Sequence, residues 1–194
     1  MNKIIKNTLI LTVITLVAGL LLGAAYEITK EPIAQSEENA KREAWQAVFP
    51  DADADAFESV DVDTDIANQV IKDLGISGSI DEVCTVDGGE TGYVITTTDG
   101  EGYGGDIQVT VGITADGMVS GVSFLSISET AGLGMKATEA SFYEQYVGVQ
   151  TDQFYVSKDG GEGEPIDALS GATITTRAVT GAVNAALAYF QNAF

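Results

Sequence analysis

The sequence predicts an α+β domain, an antiparallel sheet flanked by helices, carried on a single N-terminal transmembrane helix and stalk. Three observations predict it. Residues 8–26 carry no charge. Residues 82–98 and 106–126 each hold two alternating apolar-polar segments around a glycine turn. Residues 176–190 repeat Val179, Val183, Leu187 and Phe190 at a spacing of three to four, the period of an amphipathic helix.

The elements follow in chain order. About 20 apolar residues span the ~30 Å hydrocarbon core of a bilayer, and the run 8–26 is of that length. A cleaved secretory signal is the alternative, with Gly23 and Ala25 as small residues at a cleavage site. Its apolar region is usually ~7–15 residues, so the longer run favours an uncleaved anchor. Lys3 and Lys6 then keep the N-terminus cytoplasmic and leave everything beyond the span outside. Glu31-Pro32 marks a break or a first helical turn. A stalk helix over residues 35–49 follows, with Ala40, Ala44 and Val48 on one stripe and Pro50 as its stop. Asp51 to Asp55 form a polar connection. Thr64 or Asp65 is placed to cap a short helix through Leu74, with Ile66, Val70 and Leu74 on one face and Gly75 just past its end.

Next come two hairpins. Segments 82–86 and 92–98 flank Asp87-Gly88-Gly89, and segments 106–114 and 118–126 flank Ala115-Asp116-Gly117. Their alternation predicts antiparallel strands with one buried face. Residues 138–147 read as a helix with Phe142, Tyr143, Tyr146 and Val147 on its core side. Residues 154–156 read as a strand, and the last helix closes the chain. The resulting division is a foot and anchor over 1–30, a stalk and connection over 31–55, and an outer domain over 56–194.

Composition narrows the function. The 194 residues carry a net charge of −20, with no histidine and one cysteine. His-ligated haem, Ser-His-Asp machinery, intrachain disulfides and Cys-ligated iron–sulfur clusters are excluded. Lys3, Lys6 and Lys30 sit in the first thirty residues with Glu27 as the only acid, so the remainder holds six bases against 28 acids. Such an acidic domain has no use for nucleic acid as a partner. The lone Cys84 reads as a small buried residue on a strand.

Several motifs have bland readings. Gly100-Glu101-Gly102-Tyr103-Gly104-Gly105 formally matches G-x-G-x-x-G, but an alternating β-branched segment follows it where a dinucleotide fold needs a helix. It reads as a flexible turn beside the sheet. Asp51-x-Asp53-x-Asp55 and Asp61-x-Asp63-x-Asp65 begin like calcium loops yet lack the glycine at position 6 and the glutamate at position 12. Asp167-Ala168-Leu169-Ser170-Gly171-Ala172-Thr173 is different, because it leads into the last helix. Small residues there let backbone amides approach an anion, with Thr175 and Thr176 as candidate N-caps.

That segment resembles the D-x-x-S-G-A-T flavinylation motif of the FMN-binding domain family. Glu129-Thr130-Ala131-Gly132-Leu133-Gly134 resembles the family's E-T-P-G-L-G loop, departing at Ala131. Tyr103-Gly104-Gly105-Asp106-Ile107 resembles its strand entry. With the anchor and stalk, the whole chain is similar to the G subunits of Rnf electron transport complexes, whose cousins are the NqrC subunits of sodium-pumping quinone reductases.

The resemblance implies FMN joined to Thr173 through a phosphoester made by a flavin transferase. Ser170, Gly171 and Ala172 would form the surrounding turn. Asp167 would belong to the transferase's recognition signal, and Thr175 and Thr176 would donate to the phosphate. Thr130 and Leu133, in the loop of Glu129, Gly132 and Gly134, would lie against the isoalloxazine. Lys158 is similar in position to a family lysine near the flavin. No metal site is expected. The implied protein is a cell-membrane electron carrier, not catalytic alone, whose extracytoplasmic flavin domain works with the bilayer and the other Rnf subunits in a Na⁺- or H⁺-translocating ferredoxin:NAD oxidoreductase. A stand-alone extracytoplasmic flavoprotein, an NqrC-like subunit and an anchored non-redox binding module are the alternatives.

Overall fold

The computed structural model describes residues 2–194, which fall into two compact units divided between Lys41 and Arg42. Helix α1 runs over Lys3–Val48 with Pro32 inside it. Glu31-Pro32, expected as a break or a first helical turn, is therefore neither, because the helix runs through it. Proline removes one intrahelical hydrogen bond, and the residues around it are exposed, so solvent can satisfy the carbonyl left behind. Among the described residues α1 is the one helix long and apolar enough to cross a membrane. Within its apolar run Thr12 donates to the Thr8 carbonyl at 2.9 Å and Thr15 to the Leu11 carbonyl at 3.0 Å. Both hydroxyls are thus satisfied within the helix.

The second unit is built on a five-stranded antiparallel meander in the order β1-β2-β3-β4-β5. Its strands are β1 (Phe57–Val60), β2 (Gly78–Val86), β3 (Gly92–Asp99), β4 (Ile107–Thr114) and β5 (Val119–Ser126). Helix α2 (Thr64–Leu74) joins β1 to β2. Its cap is Asp63, one residue before the expected position, whose carboxylate accepts from the amides of Asp65 and Ile66. Gly75 ends it at φ 67°, a left-handed conformation that a Cβ disfavours. Beyond β5 lie a four-residue helix α3 (Ala140–Tyr143), a parallel pair β6 (Phe154–Val156) and β7 (Glu164–Ile166), and helix α4 (Thr173–Ala193). The helix expected over 138–147 is thus mostly turns. Phe142 and Tyr146 are buried as expected, but Val147 is exposed. Cys84 is fully buried on β2.

The sheet is covered on both faces, not one. Helix α4 packs on the face of Ile95, Val111 and Ile113. Its Ala178, Ala182, Ala185 and Ala186 are buried and small enough for close approach, and Thr97 on β3 donates to the Ala182 carbonyl at 2.9 Å. On the other face the last turn of α1 buries Trp45 and Val48, which cluster with Phe49, Cys84, Val86 and Val94. Paired Gly112 and Gly121 make the room. A Cβ on Gly121 would lie 2.8 Å from the Val48 Cα. The central strands carry apolar residues in both registers for this reason.

One core group is out of place for an apolar interior. Asp99 is 1% exposed at the end of β3, accepts from the Glu101 amide at 2.8 Å, and presses on Gly181 of α4, where no side chain would fit. Burial pushes its carboxyl up to about 6, helped by the charge of Glu101 and opposed by the Glu101 amide. The folded state therefore holds the proton more tightly than the unfolded state. Stability falls as pH rises from about 4 to about 6, and the cost is fully present above that. Asp99→Asn should raise unfolding free energy at pH 7.5 by on the order of 2 kcal/mol and give no gain near pH 3.5. Chemical denaturation at the two pH values checks this, and a less stable variant at pH 7.5 would contradict it.

Candidate functional site

The first turn of α4 is the centre of the site. Its N-cap is Ala172, which has no side chain able to cap. The helix begins at Thr173, earlier than the threonines expected as caps, so Thr175 and Thr176 lie inside it. Gly171, at φ 78°, turns the chain into it. Among the described residues no protein group accepts from the amides of Thr173, Ile174 or Thr175. Three bare amides at the end of a 21-residue helix, with a macrodipole equivalent to about +0.5 charge, favour an anion. Thr173 itself is half-buried and lines the cleft.

Three segments converge there around a cleft of about 540 Å³. Gly171, Ala172, Thr173, Ile174 and Thr175 form one wall, and Glu129, Thr130, Leu133 and Gly134 form the second. Tyr103, from the loop between β3 and β4, forms the third. The rim is apolar, with Tyr103 72% exposed, Ile174 48% and Leu133 44%. Thr175 is 1% exposed, lines the cleft, and its hydroxyl has no protein partner among the described residues.

The glycine loop over residues 100–105 is a fitted wall, not a flexible turn. A side chain on Gly104 would run into the Ser128 carbonyl, and one on Gly102 would approach Glu129 Oε1 to 2.9 Å. The Gly104 amide donates to Glu129 Oε1 at 3.1 Å, which ties this loop to the one after β5. Nothing in the local sequence marks Ile174 as a cleft residue. The glycines flanking Tyr103 are the available signal, since such spacing also serves close backbone approach.

The remaining expected residues lie around the cleft. Thr176 is fully buried and its hydroxyl is engaged, donating to the Ala172 carbonyl at 3.0 Å and accepting from the Leu169 amide at 3.1 Å. It fastens the turn and is not placed to donate to an anion at the helix end. Asp167 is exposed, accepts from the Ser157 hydroxyl at 3.1 Å, and is held through its amide by Gln145 at 2.7 Å. Ser170 and Gly132 are exposed neighbours of the lining. Lys158 sits on an exposed loop outside the lining. Its neighbour Asp159 forms a two-bond pair with Arg177, one turn along α4 from Thr173. The Arg177 hydrogen bonds hold the Asp159 carboxyl below its ordinary value.

Residues 102–188 match the FMN-binding domain family, and residues 1–48 match the RnfG N-terminal region. The chain is 31% identical over 186 residues to the G subunit of the proton-translocating ferredoxin:NAD(+) oxidoreductase complex of Clostridium ljungdahlii, covering 96% of this chain and 91% of that one. It is 32% identical over 198 residues to the G subunit of the Na(+)-translocating complex of Acetobacterium woodii, covering 97% and 92%. The crystal structure of Shewanella oneidensis NqrC is also similar, with a TM-score of 0.45, 25% identity, and coverage of 59% of this chain and 60% of that one. The chain belongs to the G-subunit family of ion-translocating oxidoreductase complexes.

The cleft fits FMN by its own chemistry. Bare amides and the Thr173 hydroxyl suit a phosphate, the free Thr175 hydroxyl suits a polar ring edge or phosphate oxygen, and the exposed apolar rim suits a flat ring. Thr176→Val should strand the Leu169 amide and lower stability by about 1–3 kcal/mol. Hydrogen exchange at Leu169 should speed up. Unchanged exchange there would show that the hydroxyl does not fasten the turn.

Proposed function

We propose that this chain is a membrane-anchored electron carrier that holds FMN covalently on Thr173, within a complex that couples electron transfer between ferredoxin and NAD to ion export. The observation that carries it is Thr173 at three unpartnered helix amides on the edge of an apolar-rimmed cleft. Whole-length similarity to subunits named for such complexes supports the assembly.

The residues divide the work. The amides of Thr173, Ile174 and Thr175 neutralise phosphate charge, and Gly171 lets backbone come close. Leu133, Tyr103 and Ile174 cover the ring and exclude water, while Thr130 and Thr175 offer hydroxyls. Bound FMN supplies one- and two-electron chemistry, and the protein orients and tunes it. Attachment requires a flavin transferase as partner. The Thr173 hydroxyl loses its proton, its oxygen bonds to the FMN phosphorus of a flavin dinucleotide, and the nucleoside monophosphate leaves with that proton. Asp167, exposed six residues upstream, is available to the transferase.

Residues 1–30 anchor the chain with Lys3 and Lys6 in the cytoplasm, 31–55 form the stalk and a connection whose Trp45 and Val48 dock on the sheet, and 56–194 hold the flavin outside. A covalent link keeps the cofactor where free FMN would be lost. The native protein should run as a flavin-fluorescent band on a denaturing gel. Thr173→Ala should abolish the fluorescence with its melting temperature little changed, and Thr173→Ser should keep it. A fluorescent Thr173→Ala band would contradict the assignment.

A further inference from the structure

We propose that Glu129 sets the reduction potential of the site by keeping a negative charge in the cleft, an inference that rests on the flavin reading above. Glu129 is 9% exposed and lines the cleft. Its Oε1 accepts from the Gly104 amide. A Cβ built on Gly134 would lie 2.7 Å from Glu129 Oε2 and 2.6 Å from the Thr175 hydroxyl, so the second carboxylate oxygen and that hydroxyl crowd one point beside the cleft. Among the described residues no lysine or arginine lines the cleft, and the only other titratable lining side chain is Tyr103.

The bond to Gly104 does not need a charge. A glutamine amide oxygen would accept from the same N–H, and a neutral side chain is cheaper to bury than a carboxylate. The charge therefore acts on what occupies the cleft. Electrons added there meet a like charge in a partly desolvated setting, where Coulomb terms are large. Glu129 raises the free energy of the reduced state and lowers the potential. Gly102 and Gly134 are the clearance that lets the carboxylate stand so close, and Gly104 lets the two loop backbones meet.

The test uses the full chain in detergent, flavinylated, with Glu129→Gln and Glu129→Ala. Glu129→Gln should load flavin to the wild-type level by mass and show a reduced-to-oxidised ratio at fixed poise at least tenfold higher. That corresponds to about 30 mV for a two-electron couple. In protein without flavin, hydrogen exchange at Gly104 should be unchanged in Glu129→Gln and faster in Glu129→Ala, which separates charge from loop-holding. Full loading with an unchanged or lower ratio would overturn the inference and leave the flavin reading intact. Loss of loading in Glu129→Gln would make the carboxylate a requirement of attachment and overturn the tuning role. Absence of flavin from Thr173 in the wild type would overturn both readings.

Discussion

Three backbone amides at the start of α4 have no acceptor among the described residues, and much of the domain is arranged to hold that helix end open and fixed. A helix end left bare is costly when buried and useful when it meets an anion. The helix is held along its length so that its end does not fray. Thr97 donates to the Ala182 carbonyl, Asn184 bonds both backbone groups of Phe154 at 2.8 Å, and Tyr146 pairs with Thr180 at 2.9 Å. Near its C-terminus the Tyr189 hydroxyl accepts from the Asp63 amide at 2.8 Å. Thr176 then closes the preceding turn against the first helical turn, and Arg177 clasps the loop of Asp159.

Glycine is the other recurring means. It appears wherever two backbones or a backbone and a carboxylate must approach more closely than a Cβ permits. Gly112 and Gly121 admit the last turn of α1 to one face of the sheet, and Gly181 admits Asp99 beneath α4. Gly102, Gly104 and Gly134 bring the two loops of the cleft around Glu129. The site is thus assembled from segments far apart in the chain, each docked on the sheet through local clearance.

Those distances explain how far sequence reasoning reaches. The hairpins and α4 announce themselves by local periodicity, and the apolar run of α1 by length. Strand β1 is four residues at a sheet edge with little burial, and β7 contains Pro165, so neither has a pattern to read. The second covered face of the sheet depends on Val48 meeting Gly121, a contact no window contains. At the site, Thr173, Thr130 and Leu133 are legible through motif resemblance. Ile174 is not, and the motif that holds Tyr103 gives it no place in the cleft, because only the fold brings the two side chains to one rim. Thr176 reads as a cap in the sequence, but Gly171 starts the helix at Thr173 and turns that expected cap into an interior residue.

The central proposal is chemical, that one oxygen, on Thr173, carries the cofactor. Proteolysis of the native protein followed by tandem mass spectrometry tests it most directly. The account predicts that the peptide containing Ser170 to Thr176 carries the added mass of FMN less one water, with fragment ions assigning it to Thr173. An unmodified Thr173 in protein purified from its native host, or the same mass on Ser170 or Thr175, would contradict it.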